Sequence, residues 1–244
     1  MDDLITGKEA FDIADRYLGW GDRAASLWFI GLEGTNEWDQ SQLRKYGDDQ
    51  IDINSWIDDE SSEKASEQIA KASKGVTQYS AKIARAVSRE YRKRGWDSWR
   101  DYRNARLWRR NAGVLHLNFQ PLDRRSKTAW PRSFDEIFGF KTRREYQAAL
   151  NESNRLQRIR DLRCRHNPQA IVCFGSDEVW RYAEKAFQLG DNFVSYEADR
   201  VRVYSDDKVI LTPFFGRSGR ERPMTNQCAR VAGERLFEWG VSIP

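Results

Sequence analysis

Residues 27–38 read LWFIGLEGTNEW. The apolar half of this stretch predicts a buried β-strand, and the polar half predicts a loop that carries the carboxylate of Glu33 just past Gly31. Sheets of the α/β class place their chemistry at the carboxyl ends of their strands. We therefore expect Glu33 to lie at a functional edge of a sheet.

Three later segments repeat this plan of a short apolar run, a polar or glycine-containing loop and a helical pattern. Four such runs separated by helical stretches predict a three-layer α/β/α fold around a mostly parallel four-stranded sheet. We expect one domain over residues 1–244, with an acidic loop and a helical insertion at about 39–110. The ends of the four strands should converge on one cleft. The later runs are VLHLN (114–118), AIVCFG (170–175) and VILTPFFGRSGR (209–220).

Composition argues against several classes of protein. The sequence has 32% charged residues and no apolar stretch near the roughly 18 residues of a membrane-spanning helix. Its acidic start lacks the basic and apolar regions of a signal peptide, so we expect a cytoplasmic protein without a membrane partner. The three cysteines form no CxxC pair and there are only two histidines. We therefore expect no metal, no cofactor and no histidine-based triad.

Positive charge is concentrated in one part of the chain. The net charge is only +4, yet residues 85–110 hold ten basic residues against three acidic ones, interleaved with tryptophan and tyrosine. This mixture is typical of a surface that binds nucleic acid and stacks its bases, although a salt-bridged helix face over core tryptophans has the same composition. The residues expected to bind DNA are Arg103, Arg106, Arg109, Arg110, Arg124, Arg125, Lys127 and Arg220.

The order of the strand-end motifs resembles that of the uracil-DNA glycosylase superfamily. GLEG at residues 31–34 is similar to the family's loop that positions the attacking water, with glycine where proline is usual. LHLN at 115–118 is similar to the strand whose asparagine binds the edge of a pyrimidine. GRSGR at 216–220 is similar to the glycine, serine and arginine found after the family's last motif, but the histidine of that motif has no counterpart. The resemblance implies a monomer with a uracil-DNA glycosylase-like fold.

The resemblance also implies an activity. Such an enzyme flips a pyrimidine out of DNA and hydrolyses its N-glycosidic bond, leaving an abasic site. Glu33 would position or deprotonate the water, and Asn118 would hydrogen-bond the base. The missing histidine leaves two substrates open: uracil, as in DNA repair, and a hypermodified cytosine such as glucosylated hydroxymethylcytosine, as in antiviral defence. The residues expected to line the substrate site are Gly31, Gly34, Thr35, Trp38, Phe119, Phe214, Arg217 and Ser218.

Two other functions are compatible with the same residues. A catalytically inactive nucleic-acid-binding protein of the same fold would explain the altered last motif. An N-glycosidase acting on free nucleotides would also need strand-end carboxylates and a phosphate loop, but it would not need the basic cluster at 85–110.

Overall fold

Eight β-strands form one sheet in the part of the chain that the computed structural model describes. That part comprises residues 4–33, 38–47, 53–55, 74–107, 109, 112–122, 130–175, 177–215 and 223–244. The strands are β1 (Tyr17–Gly21), β2 (Leu27–Glu33), β3 (Ile53–Ser55), β4 (Val114–Gln120), β5 (Ala170–Phe174), β6 (Val194–Tyr196), β7 (Val201–Tyr204) and β8 (Val209–Thr212). Their order across the sheet is β3-β1-β4-β2-β5-β8-β7-β6.

The direction of the strands is mixed. β4, β2, β5 and β8 lie side by side and run parallel, and β3 runs parallel to β1. The β1–β4, β6–β7 and β7–β8 pairs are antiparallel. The α/β class is confirmed, whereas the expectation of four strands is corrected to an eight-stranded mixed sheet. The additional strands β3 and β6 have three residues each, too few for a two-residue period to be visible in the sequence.

Two glycines allow β1 to pair closely with β4. Gly19 and Gly21 both have positive φ angles, and a Cβ atom at either position would collide with the backbone carbonyl oxygen of His116 or Val114. Because only glycine fits both conditions, β1 has the sequence YLGWG instead of an alternating apolar pattern. This composition is the reason that no strand signal is visible there in the sequence.

Nine α-helices surround the sheet in the described ranges, and helices cover both of its faces. The helices are α1 (Gly7–Arg16), α2 (Gln40–Gly47), α3 (Lys74–Val87), α4 (Trp99–Ala105), α5 (Arg132–Phe138), α6 (Arg143–Glu152), α7 (Arg155–His166), α8 (Asp177–Phe187) and α9 (Asn226–Glu238). On one face of the sheet, Leu27 and Phe29 of β2 pack against α3 and α9. On the other face, Trp28 and Ile30 pack against α7 and α8.

The region expected to form a helical insertion contributes directly to the core. Ala81, Ile83 and Ala84 of α3 are buried in the same apolar cluster as the β2 residues Leu27 and Phe29. α3 also packs so closely on α9 that a Cβ on Gly233 would lie 2.7 Å from the Cβ of Ala86. Contacts this close arise where small residues meet, so α3 is a central helix of the fold. Much of the acidic loop, residues 48–52 and 56–73, lies outside the described residues.

Periodicity over residues 142–164 predicts one helix, but the structure has two. α6 begins with a capping box between Thr142 and Glu145, and it ends before Asn154, whose φ is 56°. The left-handed backbone of Asn154 changes the direction of the chain between the two helices. α7 then begins at Arg155, whose side chain is buried. In the portion described, no helix is long and apolar enough to cross a membrane.

Candidate active site

The strand order predicts a crevice at one edge of the sheet. β2 and β5 are neighbours, and the other parallel neighbour of β2 is β4 on one side, whereas that of β5 is β8 on the opposite side. Connections that leave neighbouring parallel strands in opposite directions open a gap at the carboxyl ends of those strands, where open α/β sheets bind their ligands. Functional residues are therefore expected at the carboxyl ends of β2, β4 and β5.

A buried amide lies at this edge, directly opposite a glycine. Asn118 pairs in register with Gly31 and is only 7% exposed. A Cβ atom on Gly31 would lie 2.8 Å from Oδ1 of Asn118 and 3.0 Å from Cζ of Phe174. Position 31 must therefore be glycine for the amide and the ring to converge above its backbone. An amide offers both a donor and an acceptor, which suits hydrogen bonding to the edge of a heterocyclic base.

Three rings form a stack beside this amide. The Phe174 ring lies 4.2 Å from that of Phe215 at an angle of 11°, and 5.3 Å from that of His116 at 24°. Tyr79 of α3 contacts Phe215 from outside, with ring centroids 5.8 Å apart. Because both faces of Phe174 are covered, its edge is the part that contacts Gly31. Phe174 thus packs against the site through its ring edge and has no free face on which a base could stack.

Burial lowers the pKa of His116 from 6.5 to about 4. The unfolded chain therefore binds a proton as the pH falls below about 6.5, whereas the folded protein binds it only near pH 4, so acidification favours unfolding. Between pH 7 and pH 5 we expect the free energy of unfolding to fall by about 2 kcal/mol from this group. Urea unfolding of the wild type at both pH values measures the change. In His116→Phe, which keeps a ring stacked on Phe174, the free energy of unfolding should fall less between pH 7 and pH 5. An equal fall in both proteins would contradict the prediction.

The predicted catalytic residues Glu33 and Asn118 lie on neighbouring strands. Glu33 is the last residue of β2 and pairs with Gln120, two residues beyond Asn118 on β4. The structure therefore brings the backbone of Glu33 to the same edge of the sheet as Asn118. Several other predicted site residues lie outside the described part of the chain, namely Gly34, Thr35, Arg110, Arg124, Arg125, Lys127, Arg217, Ser218 and Arg220.

Two aromatic residues expected to line the pocket belong to the core instead. Phe119 is 1% exposed and stacks on Tyr182 of α8, because successive residues of a strand point to opposite faces and Phe119 follows Asn118. Trp38 packs edge-on against Tyr17 and donates a hydrogen bond of 3.3 Å from Nε1 to the carbonyl oxygen of Pro121. Trp38 therefore fastens the chain after β2 to the chain after β4, and its ring is buried.

Phe214 is the predicted aromatic residue that stays partly exposed at a strand end. It follows β8 and forms a short parallel bridge with Pro223. The N–H of Met224 donates a 3.1 Å hydrogen bond to the carbonyl oxygen of Phe214. Phe214 and Pro223 thus lie beside the same strand end.

Gln120 is a buried polar residue at the end of β4 that was not among the residues predicted from the sequence. Its side chain is fully buried, and Nε2 donates to the hydroxyl oxygen of Tyr182 at 3.2 Å and more weakly to Oε1 of Glu178 at 3.5 Å. These contacts tie the end of β4 to α8 on the other side of β2. The two-residue period that places Asn118 at the strand end also selects Gln120, so the alternation of VLHLNFQ was the available signal.

Three aromatic residues of the basic segment are core residues, whereas Trp96 is partly exposed. Tyr91, Trp99 and Tyr102 are buried, and burial raises the pKa of Tyr102. The predicted DNA-binding residue Arg106 forms an ion pair of 3.2 Å with Glu90, and Arg109 is half-buried. The rings of Tyr91, Trp99 and Tyr102 are therefore not available to stack bases, which corrects the predicted stacking role for these three residues.

Five cations lie over the indole rings of Trp96 and Trp99. Lys82, Arg100 and Arg103 lie 5.0, 4.8 and 5.6 Å from the ring centre of Trp99. The ring of Trp96 has Arg85 at 5.5 Å and Arg230 at 4.9 Å. Cations held over aromatic faces lose less mobility when they bind an anion. We call this cluster the tryptophan-backed basic patch; it consists of Lys82, Arg85, Arg100, Arg103 and Arg230 around Trp96 and Trp99. Lys82 and Arg85 are buried, so the cations that an anion can reach are Arg100, Arg103 and Arg230.

Comparison with known proteins adds no family to this geometry. No family model, curated protein or solved structure matches this chain. Across the described ranges, no group of three potential metal-binding side chains occurs.

Proposed function

We propose that this chain is a DNA glycosylase that flips an aberrant or modified pyrimidine into the strand-end crevice and hydrolyses its N-glycosidic bond. The observation that carries the proposal is the buried amide of Asn118 opposite Gly31, with Glu33 two residues further along β2. Base release requires an amide that hydrogen-bonds the base and a carboxylate that activates the water, and here the two residues lie on adjacent strands. The four adjacent parallel strands with helices on both faces support a uracil-DNA glycosylase-like fold.

The proposed reaction replaces the bond between C1′ and the base nitrogen with a bond to water. Glu33 orients the water, accepts its proton and stabilises the positive charge that develops on the sugar. The electron pair of the broken bond leaves with the base, and the amide of Asn118 donates to the developing anion. His116 cannot supply the acid, because it is buried under Phe174 with a pKa of about 4 and is neutral at physiological pH.

The tryptophan-backed basic patch supports DNA as the partner. Arg100 is exposed and Arg103 is partly exposed, so both can contact phosphates from their positions over Trp99. Phosphate contacts release counterions from DNA, which makes binding dependent on salt.

Reversing two charges of this patch should weaken DNA binding. For Arg100→Glu/Arg103→Glu we expect at least about tenfold weaker binding at low salt and a shallower salt dependence, since each phosphate contact contributes about one to the slope. Fluorescence anisotropy with labelled duplex across a salt series gives both quantities. The double variant Arg144→Glu/Arg181→Glu, which reverses two exposed charges elsewhere, is the control of equal net charge. Equal weakening in both variants would show that only net charge matters.

The test of the proposed activity is direct. Wild type and Glu33→Ala are incubated with duplexes that carry uracil, hydroxymethylcytosine or glucosylated hydroxymethylcytosine, and alkali-labile abasic sites are scored. Abasic product from the wild type alone supports the proposal and names the base. Tight DNA binding without product on any duplex favours the inactive binding protein. Base release from free nucleotides but not from DNA favours the nucleotide N-glycosidase.

A further inference from the structure

A buried guanidinium contacts the backbone of Asn118. Arg155, the first residue of α7, is 2% exposed. Its Nε and Nη2 atoms donate to the carbonyl oxygen of Asn118 at 3.2 and 2.8 Å. Nη2 also donates to the carbonyl oxygen of Tyr17 at 3.0 Å, and Nη1 donates to that of Asp15. One side chain thus joins three peptide groups from two strands and the helix end before β1.

Arg155 lies where the hydrogen-bonded pairing between β1 and β4 ends. The antiparallel register between β1 and β4 runs from Gly21 opposite Leu115 to Gly19 opposite Leu117, and it does not extend to Asn118. The carbonyl groups beyond the last pair need donors, because buried backbone groups left without hydrogen bonds are costly. Arg155 supplies these donors. The peptide of Asn118 is consequently held by Arg155 on one side, while β2 lies alongside Asn118 on the other.

Burying a charged guanidinium to provide hydrogen bonds to these carbonyl groups carries a desolvation cost. Arg155 has Asp15 at 3.5 Å as its counterion, and Arg158 forms a second ion pair with the same carboxylate. Burial nevertheless lowers the pKa of Arg155 to about 10, so the group stays charged at neutral pH against a desolvation penalty. Buried ion pairs are often no more stabilising than apolar residues of equal volume, and some buried polar groups instead fix one geometry.

We infer that Arg155 is a positioning residue, which fixes the peptide of Asn118 and thereby holds its amide over Gly31, where the base is to be bound. The inference rests on the proposed function for its catalytic consequence but not for the hydrogen bonds themselves. Lysine at this position keeps the charge but cannot donate to three carbonyl groups in the planar geometry of guanidinium. The amide of Asn118 should then lose its fixed position.

The test compares Arg155→Met and Arg155→Lys with Arg160→Met. Arg160 lies on the same helix and also donates to backbone carbonyl groups, those of Ala186 and Lys185, but not to Asn118. Hydrogen exchange of residues 114–120 is expected to accelerate by about tenfold or more in both Arg155 variants, because a charged hydrogen bond is lost, and to stay unchanged in Arg160→Met. On the duplex from which the wild type releases a base, kcat should fall by about 100-fold with little change in KM.

The readouts separate the possible results. Exchange at 114–120 equal to that of Arg160→Met would overturn the inference, and so would acceleration spread evenly over the whole chain, which indicates general destabilisation. Local acceleration in a protein without glycosylase activity on any duplex would uphold the positioning role and reject the proposed function. If Arg155→Met does not fold, the lysine variant alone gives the same comparison.

Discussion

Replacing Glu33 with glutamine should lower the rate of base release by about 10²- to 10⁴-fold, the usual contribution of a general base. Glutamine keeps the shape of glutamate, but it cannot accept a proton from water or stabilise a cationic sugar with a full negative charge. Binding of DNA should change by less than about twofold, because the variant removes no cation from the interface. Single-turnover kinetics on the duplex cleaved by the wild type measures the rate.

Asp39→Asn is the matched control for this prediction. Asp39 is the next carboxylate along the chain that the structure describes, and its Oδ1 accepts a 2.8 Å hydrogen bond from the N–H of Gln42 at the start of α2. It therefore has a capping role that asparagine can also fill, so Asp39→Asn should leave both the stability and the chemical step nearly unchanged. A normal rate in Glu33→Gln together with a slow rate in Asp39→Asn would assign the catalytic carboxylate to position 39.

The second large effect is expected at Phe174. Its ring is buried in the stack between His116 and Phe215, so Phe174→Ala should lower the free energy of unfolding by about 3–5 kcal/mol. Urea denaturation measures this loss. Phe187→Ala removes an equally buried ring from the opposite face of the sheet and should destabilise the protein by a similar amount. Destabilisation below about 1 kcal/mol in Phe174→Ala would contradict the stacked arrangement.

Residual activity distinguishes these two rings. Phe174 contacts the site at Gly31, whereas Phe187 packs against Phe119 on the other face. Under conditions in which both alanine variants are folded, only Phe174→Ala should reduce base release, and Phe174→Leu should restore part of both stability and rate. Equal loss of activity in the Phe187 variant would show that stability alone controls the rate.

Some parts of this architecture could be predicted from the sequence and others could not, for identifiable reasons. The long apolar runs of β2, β4, β5 and β8 have strand length and composition, and the structure places all four next to one another. β1 has no strand signal because close pairing requires its glycines. The predicted position of Phe119 was wrong because a one-residue step along a strand changes the face on which a side chain lies.

The role of Arg155 could not be predicted from local sequence. It lies in a stretch of arginines that has the composition of an exposed helix, and its three carbonyl partners belong to distant parts of the chain. Similarly, Trp96 and Trp99 have the sequence pattern of a base-stacking surface, whereas packing against α3 and α9 turns them into supports for cations. Both features depend on tertiary contacts between segments that no sequence period connects.

The order of the central strands also has a consequence for folding. β2 lies between β4 and β5, and β8 completes the row, so every pairing at the crevice joins segments that are far apart in the chain. Pairings of this kind require closure of long loops and form slowly. During synthesis, β2 must wait for β4 and β5 before its edges are covered. The edge of the sheet that carries Gly31 and Asn118 is therefore expected to be completed among the last parts of the protein.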